Sequence, residues 1–216
     1  MKTTTLAAVI LTAAILAACG TIQQAATNKE VEETVVEQTE KKPETFTYTE
    51  KPTLEMIPDK PIEGEVNGEP FTVETVLFQP SYTGNWEVSL IEKKLDDPLA
   101  VLFESQYFNL DLNKKPETGA VITHPMEFGD GICQIKQLDN PEETTSWNSP
   151  NAWVMEITEW DVKPWDPEGD IFQVAGTASG TIAVCFQGSC GYANSWVAGT
   201  FSGAIVRYMG EPELND

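Results

Sequence analysis

Apolar residues recur at every second position along much of this chain. Phe71, Val73, Thr75 and Leu77 alternate with Thr72, Glu74 and Val76, and Trp86, Val88 and Leu90 with Glu87 and Ser89. Trp153, Met155 and Ile157 alternate in the same way with Val154, Glu156 and Thr158. A period of two belongs to a strand whose faces meet different surroundings, because successive side chains point to opposite sides. Further candidate runs are 62–66, 99–112, 120–123, 132–138, 181–186 and 196–208. Gly, Pro, Asn and Asp punctuate them, as at Asp97-Pro98, Asn140-Pro141 and Asp166-Pro167. Asn67-Gly68 stands between two runs, and both residues tolerate the positive φ of a tight hairpin turn. Eight or nine short strands at this spacing predict an all-β domain, a single antiparallel β-sandwich with a β-barrel as the alternative. No run has the period of a three-turn amphipathic helix, which argues against a parallel sheet with crossover helices.

The strand pattern starts near Pro61. Residues 61–216 hold all six tryptophans and make a domain of ordinary size. Residues 20–60 are rich in Glu, Thr, Lys, Gln and Pro and offer little to bury. Such a composition does not offset the entropy of ordering and reads as a disordered acidic tether. A helix from Asn28 to Glu40 would be marginal alone.

The first twenty residues carry a different signal. Lys2 precedes an apolar run from Leu6 to Ala18, then Cys19-Gly20. A charged start, a short apolar core and small residues at a cut site make an export signal, too short for a permanent span of ~20 residues. Leu16-Ala17-Ala18-Cys19 resembles the lipobox of bacterial lipoproteins at every position. The resemblance implies that residues 1–18 are a signal peptide. It also implies that Cys19 is lipidated, and that 19–60 tether a domain to the membrane through acyl chains. Gly20 after the cysteine, where such lipoproteins retained in the inner membrane tend to carry Asp, implies the outer membrane. Gly64 to Phe71 and Val197 to Gly203 are similar to motifs in small bacterial lipoprotein domains of unknown function, which implies an all-β envelope module and no particular activity.

The formal charge is −21, and residues 61–216 carry 25 acidic residues against seven basic ones, with Arg207 the sole arginine. So acidic a chain repels phosphate backbones, which excludes nucleic acid as a natural partner. Solubility accounts for the charge most simply. Cations are the other use of it.

Three cysteines remain once Cys19 is lipidated, and an oxidising envelope permits one disulfide. Cys185 and Cys190 enclose four residues near a turn and are the expected pair, with Cys133 buried; Cys133 with either partner is the alternative. The spacing of these cysteines and His124 matches no familiar zinc site. His124 is the only histidine, in a Thr-His-Pro context that reads as the turn after a strand, and no motif supplies triad partners for it.

Asp166, Glu168 and Asp170 place oxygens at alternate positions of a short loop, the spacing by which calcium loops converge ligands. Ile171 and Thr177 stand where an EF-hand needs Gly and Glu, so the segment reads first as a solvated acidic turn. Calcium is the one cofactor with a candidate seat. Glu127, Asp130 and Asp139 form a weaker acidic group. Trp147, Trp160 and Trp165 lie near carboxylates in or beside loops. They are either covers for the open ends of a core or stacking platforms for sugar rings. The expected function is therefore a non-enzymatic binding or structural domain on a lipid anchor, facing a glycan or another envelope protein. The alternatives are a calcium-assisted carbohydrate-binding module and a carboxylate-dependent hydrolase.

Overall fold

The computed structural model describes residues 42–100, 105–128, 133–140, 143–189 and 191–215. The signal segment, Cys19, the candidate helix 28–40, Asp130 and Cys190 lie outside the described residues, as do the side chains of Cys133, Asp139 and Trp147.

Eleven strands form among the described residues. In chain order they are β1 (Glu63–Val66), β2 (Glu69–Thr72), β3 (Thr75–Pro80), β4 (Trp86–Ile91), β5 (Tyr107–Leu112) and β6 (Val121–Glu127). Then come β7 (Cys133–Asn140), β8 (Glu143–Trp147), β9 (Asn151–Val162), β10 (Phe172–Phe186) and β11 (Ser195–Met209). The all-β expectation holds. The strands belong to one continuous sheet in the order β6-β9-β10-β11-β3-β4-β5-β7-β8, with β1 and β2 attached beside β11. The sheet curls into a half-barrel that encloses its core much as a sandwich does. Pairing is antiparallel except between β11 and β3, which run parallel through Ile205↔Leu77 and Val206↔Phe78.

The Asn67-Gly68 hairpin forms as its chemistry requires, with φ of 53° and 83° joining β1 to β2. Curling needs local breaks in register, and β10 supplies them between Val174 and Gly176 and between Ala178 and Gly180. A Cβ on Gly180 would run into the Glu156 carbonyl and the Phe201 ring, so only glycine lets these strands close up there.

The concave face carries the main core: Phe78, Phe108, Leu110, Trp153, Met155 and Val184 among others, all at most 1% exposed. On the opposite face of β9, β10 and β11, Val154, Ala183, Cys185 and Ala198 form a second cluster with Phe46 and Ile57. Phe46 also packs on Trp196, ring centres 5.6 Å apart. The compact unit accordingly runs from Glu40 to Asp216, and residues 42–60, assigned by composition to the tether, cover the outer face of the sheet. Phe46 and Ile57, with Tyr48 and Leu54 packed beside them, hold this segment there, since each fully buried apolar side chain contributes ~1.5–3 kcal/mol. The Lys60 carbonyl fixes the segment by accepting from the Thr200 backbone at 2.7 Å.

The expected disulfide does not form among the described residues: Cys185 is a free, buried thiol, and Cys190, its expected partner, lies outside them. The position of Cys185 is paired on both sides, to Trp196 and to Ala152, and its side chain enters the Phe46–Ile57 cluster. Burial pushes the thiol up to about 11. His124 is likewise not in a turn. It lies within β6, opposite and stacked on Trp153 with ring centres 6.0 Å apart.

Candidate functional site

Two polar arrangements stand out, and they differ in whether their hydrogen bonds are complete. On the outward face of β3, β4, β5 and β11, Arg207 Nε donates to Gln79 Oε1 at 2.9 Å and its Nη1 to the carbonyls of Pro98 and Ala100. Gln79 in turn donates to Glu87 Oε1, Asn109 to Glu87 Oε2, and Ser89 to Asn109 Oδ1. The sole arginine is thus buried in a chain of satisfied bonds that crosses four strands. Such a network fixes register and rigidity.

The second arrangement lies at the end of the half-barrel where β4 begins and β5 and β11 end. Trp86, only 6% exposed, meets Trp160 of β9 edge-on at 5.3 Å and Tyr208 of β11 at 5.9 Å. Trp160 also meets Phe78 edge-on at 5.4 Å, and Trp165 meets Tyr208 at 5.7 Å. Edge-to-face contact is the favoured geometry for aromatic quadrupoles, and it locks these rings as a plug over the core. Trp160 and Trp165 are therefore half-buried and packed, as covers for the open end of a core are.

Beside Trp86 lies a cavity of about 540 Å³. Its walls are Asn85 and Trp86 at the start of β4, Leu112 to Lys115 at the end of β5, and the segment Leu214–Asn215. The turn 81–85 builds one wall. Gly84 takes φ +83°, Ser81 N donates to the Asn85 carbonyl at 2.8 Å, and Thr83 Oγ1 donates to Asp111 Oδ2 at 2.8 Å. Asn215 pins the other: its backbone N–H donates to the Gly84 carbonyl at 2.7 Å, and its side chain to the Thr83 carbonyl and Asn85 Oδ1. Trp86 Nε1 is buried with no hydrogen-bond partner. A buried N–H left in this state calls for a water or a ligand acceptor. Lys114 and Lys115 are exposed at the rim, and neither has a carboxylate within 4.0 Å among the described residues. The volume falls within the ~300–1,000 Å³ usual for small-molecule seats.

The remaining candidates lie elsewhere in the fold. In the 166–170 loop, Asp166 Oδ1 accepts from the Glu168 backbone N–H, and Gln173 Nε2 donates to the carbonyls of Asp166 and Asp170. Gln173 organises this turn, and no group of three or more His, Cys, Asp or Glu is placed to hold a metal ion among the described residues. His124 Nδ1 is 4.0 Å from Glu127 Oε1, and burial lowers its pKa despite that carboxylate. Trp160 and Trp165 were visible in the sequence as site candidates. Trp86 was read only as a core residue, and Lys114-Lys115 was passed over. No family model matches this chain, nor does any curated protein or solved structure.

Proposed function

We propose that this chain is a lipid-anchored protein of the bacterial envelope whose β domain binds a small polar ligand without transforming it. Lipidation at Cys19 holds it to the membrane, and Gly20 favours the outer one. The observation that carries the binding reading is the cavity of about 540 Å³ lined by Trp86, a residue whose buried indole N–H has no partner. Amide groups of Asn85, Asn113 and Asn215 surround it, which suits a ligand rich in hydroxyls such as a saccharide. His124, stacked on Trp153, and Cys185, held as a neutral thiol inside a cluster, both lie away from this seat.

The test follows the indole N–H signals of the tryptophans by NMR while neutral and acidic mono- and disaccharides are added. The Trp86 signal, assigned by its loss in Trp86→Phe, is expected to move with at least one of them. Trp86→Phe keeps the packing ring but removes the donor, so it should weaken binding and leave the melting temperature close to the parent's. A Trp86 signal that ignores every saccharide sinks the saccharide-seat reading. Anchoring is tested separately: Cys19→Ser should release the protein from the membrane fraction, and a variant that stays membrane-bound would end that part of the proposal.

A further inference from the structure

We propose that the outward face where β10 begins and β11 ends is a docking surface for a cationic, amphipathic segment of another protein. It uses residues other than Trp86 and does not depend on the saccharide reading. Large apolar side chains are concentrated there. Of the nine most exposed among the described residues, five are Tyr82, Ile171, Phe172, Val174 and Met209. They are contiguous rather than scattered. Phe172 of β10 stands directly opposite Met209 of β11, and Val174 opposite Arg207, so these four positions share one face of the sheet. Phe172, Val174 and Met209 are 47%, 52% and 37% exposed. Further along the same two strands, Phe46 and Ile57 cover Ala183 and Ala198. Met209 also lines a groove of about 580 Å³ between the turn 81–85 and residues 210–215, with Pro80, Tyr82 and Pro212 among its apolar walls. One apolar strip therefore runs from Val174 through Phe172 and Met209 into the groove beside Tyr82. Contiguous exposed apolar surface of this kind, rimmed by polar residues, marks an interaction site.

Charge selects the partner. The strip is bounded by two segments, 164–171 before β10 and 210–215 after β11. They carry Asp166, Glu168, Asp170, Glu211 and Glu213, all exposed, and no lysine or arginine. Lys163 stands one residue before the first segment, and Lys114 and Lys115 line the neighbouring cavity at Leu214. Arg207, the cation on the face itself, is buried and spends its donors on Gln79, Pro98 and Ala100. An apolar strip with an acidic rim is complementary to apolar side chains flanked by lysine or arginine. A second copy of this chain brings the same rim and the same net charge of −21, so it is repelled, and an anionic lipid surface is repelled likewise.

The experiment uses the chain carrying Cys19→Ser, so that no acyl group competes for the strip, and three synthetic peptides of equal length. One alternates lysine with leucine, one lysine with serine, and one glutamate with leucine. The Met209 methyl signal in NMR, assigned by its loss in Met209→Gln, reports contact. The lysine–leucine peptide should move that signal and bind about tenfold more tightly than either of the others. Phe172→Thr/Val174→Thr keeps β propensity at two exposed positions, so it should bind that peptide about tenfold more weakly at an unchanged melting temperature. Met209→Gln should weaken binding in the same direction, and added salt should weaken it in the parent. A Met209 signal that ignores the lysine–leucine peptide overturns the surface. Equal binding of the lysine–serine peptide overturns the role of the strip, and equal binding of the glutamate–leucine peptide overturns the cationic partner. Undiminished binding by both variants also sinks the proposal. Sedimentation of the chain alone and flotation with phosphatidylcholine vesicles test the other occupants. A dimer or a lipid-bound fraction that disappears in Phe172→Thr/Val174→Thr would give the strip to a second copy or to a membrane instead.

Discussion

The two faces of the β9–β10–β11 region are both apolar, but they come about differently. The concave face is filled by strands alone: Ile182, Val184 and Phe186 of β10 meet Trp153 and Met155 of β9 and residues from across the curl. The convex face is covered by a segment with no regular structure beyond a single turn of 3₁₀ helix at Leu54–Met56, which delivers Phe46 and Ile57. The first layer follows from alternation within each strand. The second depends on a few apolar residues in a largely polar stretch, Phe46 and Ile57 with Tyr48 and Leu54 beside them, placed in part by the hydrogen bond from Thr200 to Lys60. An exposed strip of Val, Ala and Cys on a sheet is enough to recruit a neighbouring segment of poor composition, because covering it removes apolar surface from water on both sides.

If the layers differ as described, the concave one should dominate stability. Phe78→Ala removes a ring at 0% exposure that touches Trp160 and Phe201, and should cost about 3–5 kcal/mol in chemical denaturation. A loss under 1 kcal/mol would mean the curl does not close on that ring. Ile57→Ala should cost about 2–5 kcal/mol, towards the lower end, as one edge of its cluster can collapse onto the sheet. If Ile57→Ala proves as silent as a surface change, the convex layer is not part of the folded unit.

Cys185 sharpens the comparison, for it reports on the convex layer directly. Buried and raised to about 11, its thiol should resist alkylation at neutral pH until the layer opens. Peptide-resolved alkylation rates give that opening free energy. A value well below the global one separates the layers, and an equal value unites them. The smallest effect is expected from His124 on the concave side. Burial lowers its pKa, so the unfolded chain binds more protons as pH falls. This contribution is complete above about pH 6.5, histidine's ordinary value, and declines below it. His124→Phe should flatten the dependence in thermal melts between pH 5 and 7. An unchanged slope would assign it to carboxylates.

Much of the concave layer was legible from sequence because period two is a local property. Trp153, Met155 and Ile157 were placed on one face by counting, and Asn67-Gly68 announced its turn. Counting fails where strands break register. Phe201 and Ala204 both face inward although they are three apart, because β11 slips against β10 near Gly203, which takes φ +65°. The convex cover was illegible because composition averages over a window and hides the few residues that matter individually. The seat at Trp86 was half legible. Trp160 and Trp165 attracted attention as large residues near loops, but the partners that define the seat come from 86, 114 and 215, and only the tertiary fold brings them together.

The long last strand has a consequence for how the chain reaches this state. β11 pairs with β1 along its first half and with β3 along its second, and Arg207 reaches Gln79 across 128 positions of sequence. β1 and β2 have no neighbour in the sheet other than each other and β11. While the chain is still emerging, its early strands therefore wait with unpaired edges until the final fifteen-residue strand arrives. Closing so large a loop late makes assembly slow relative to helical domains of similar size. The full sheet therefore forms only once β11 is in place.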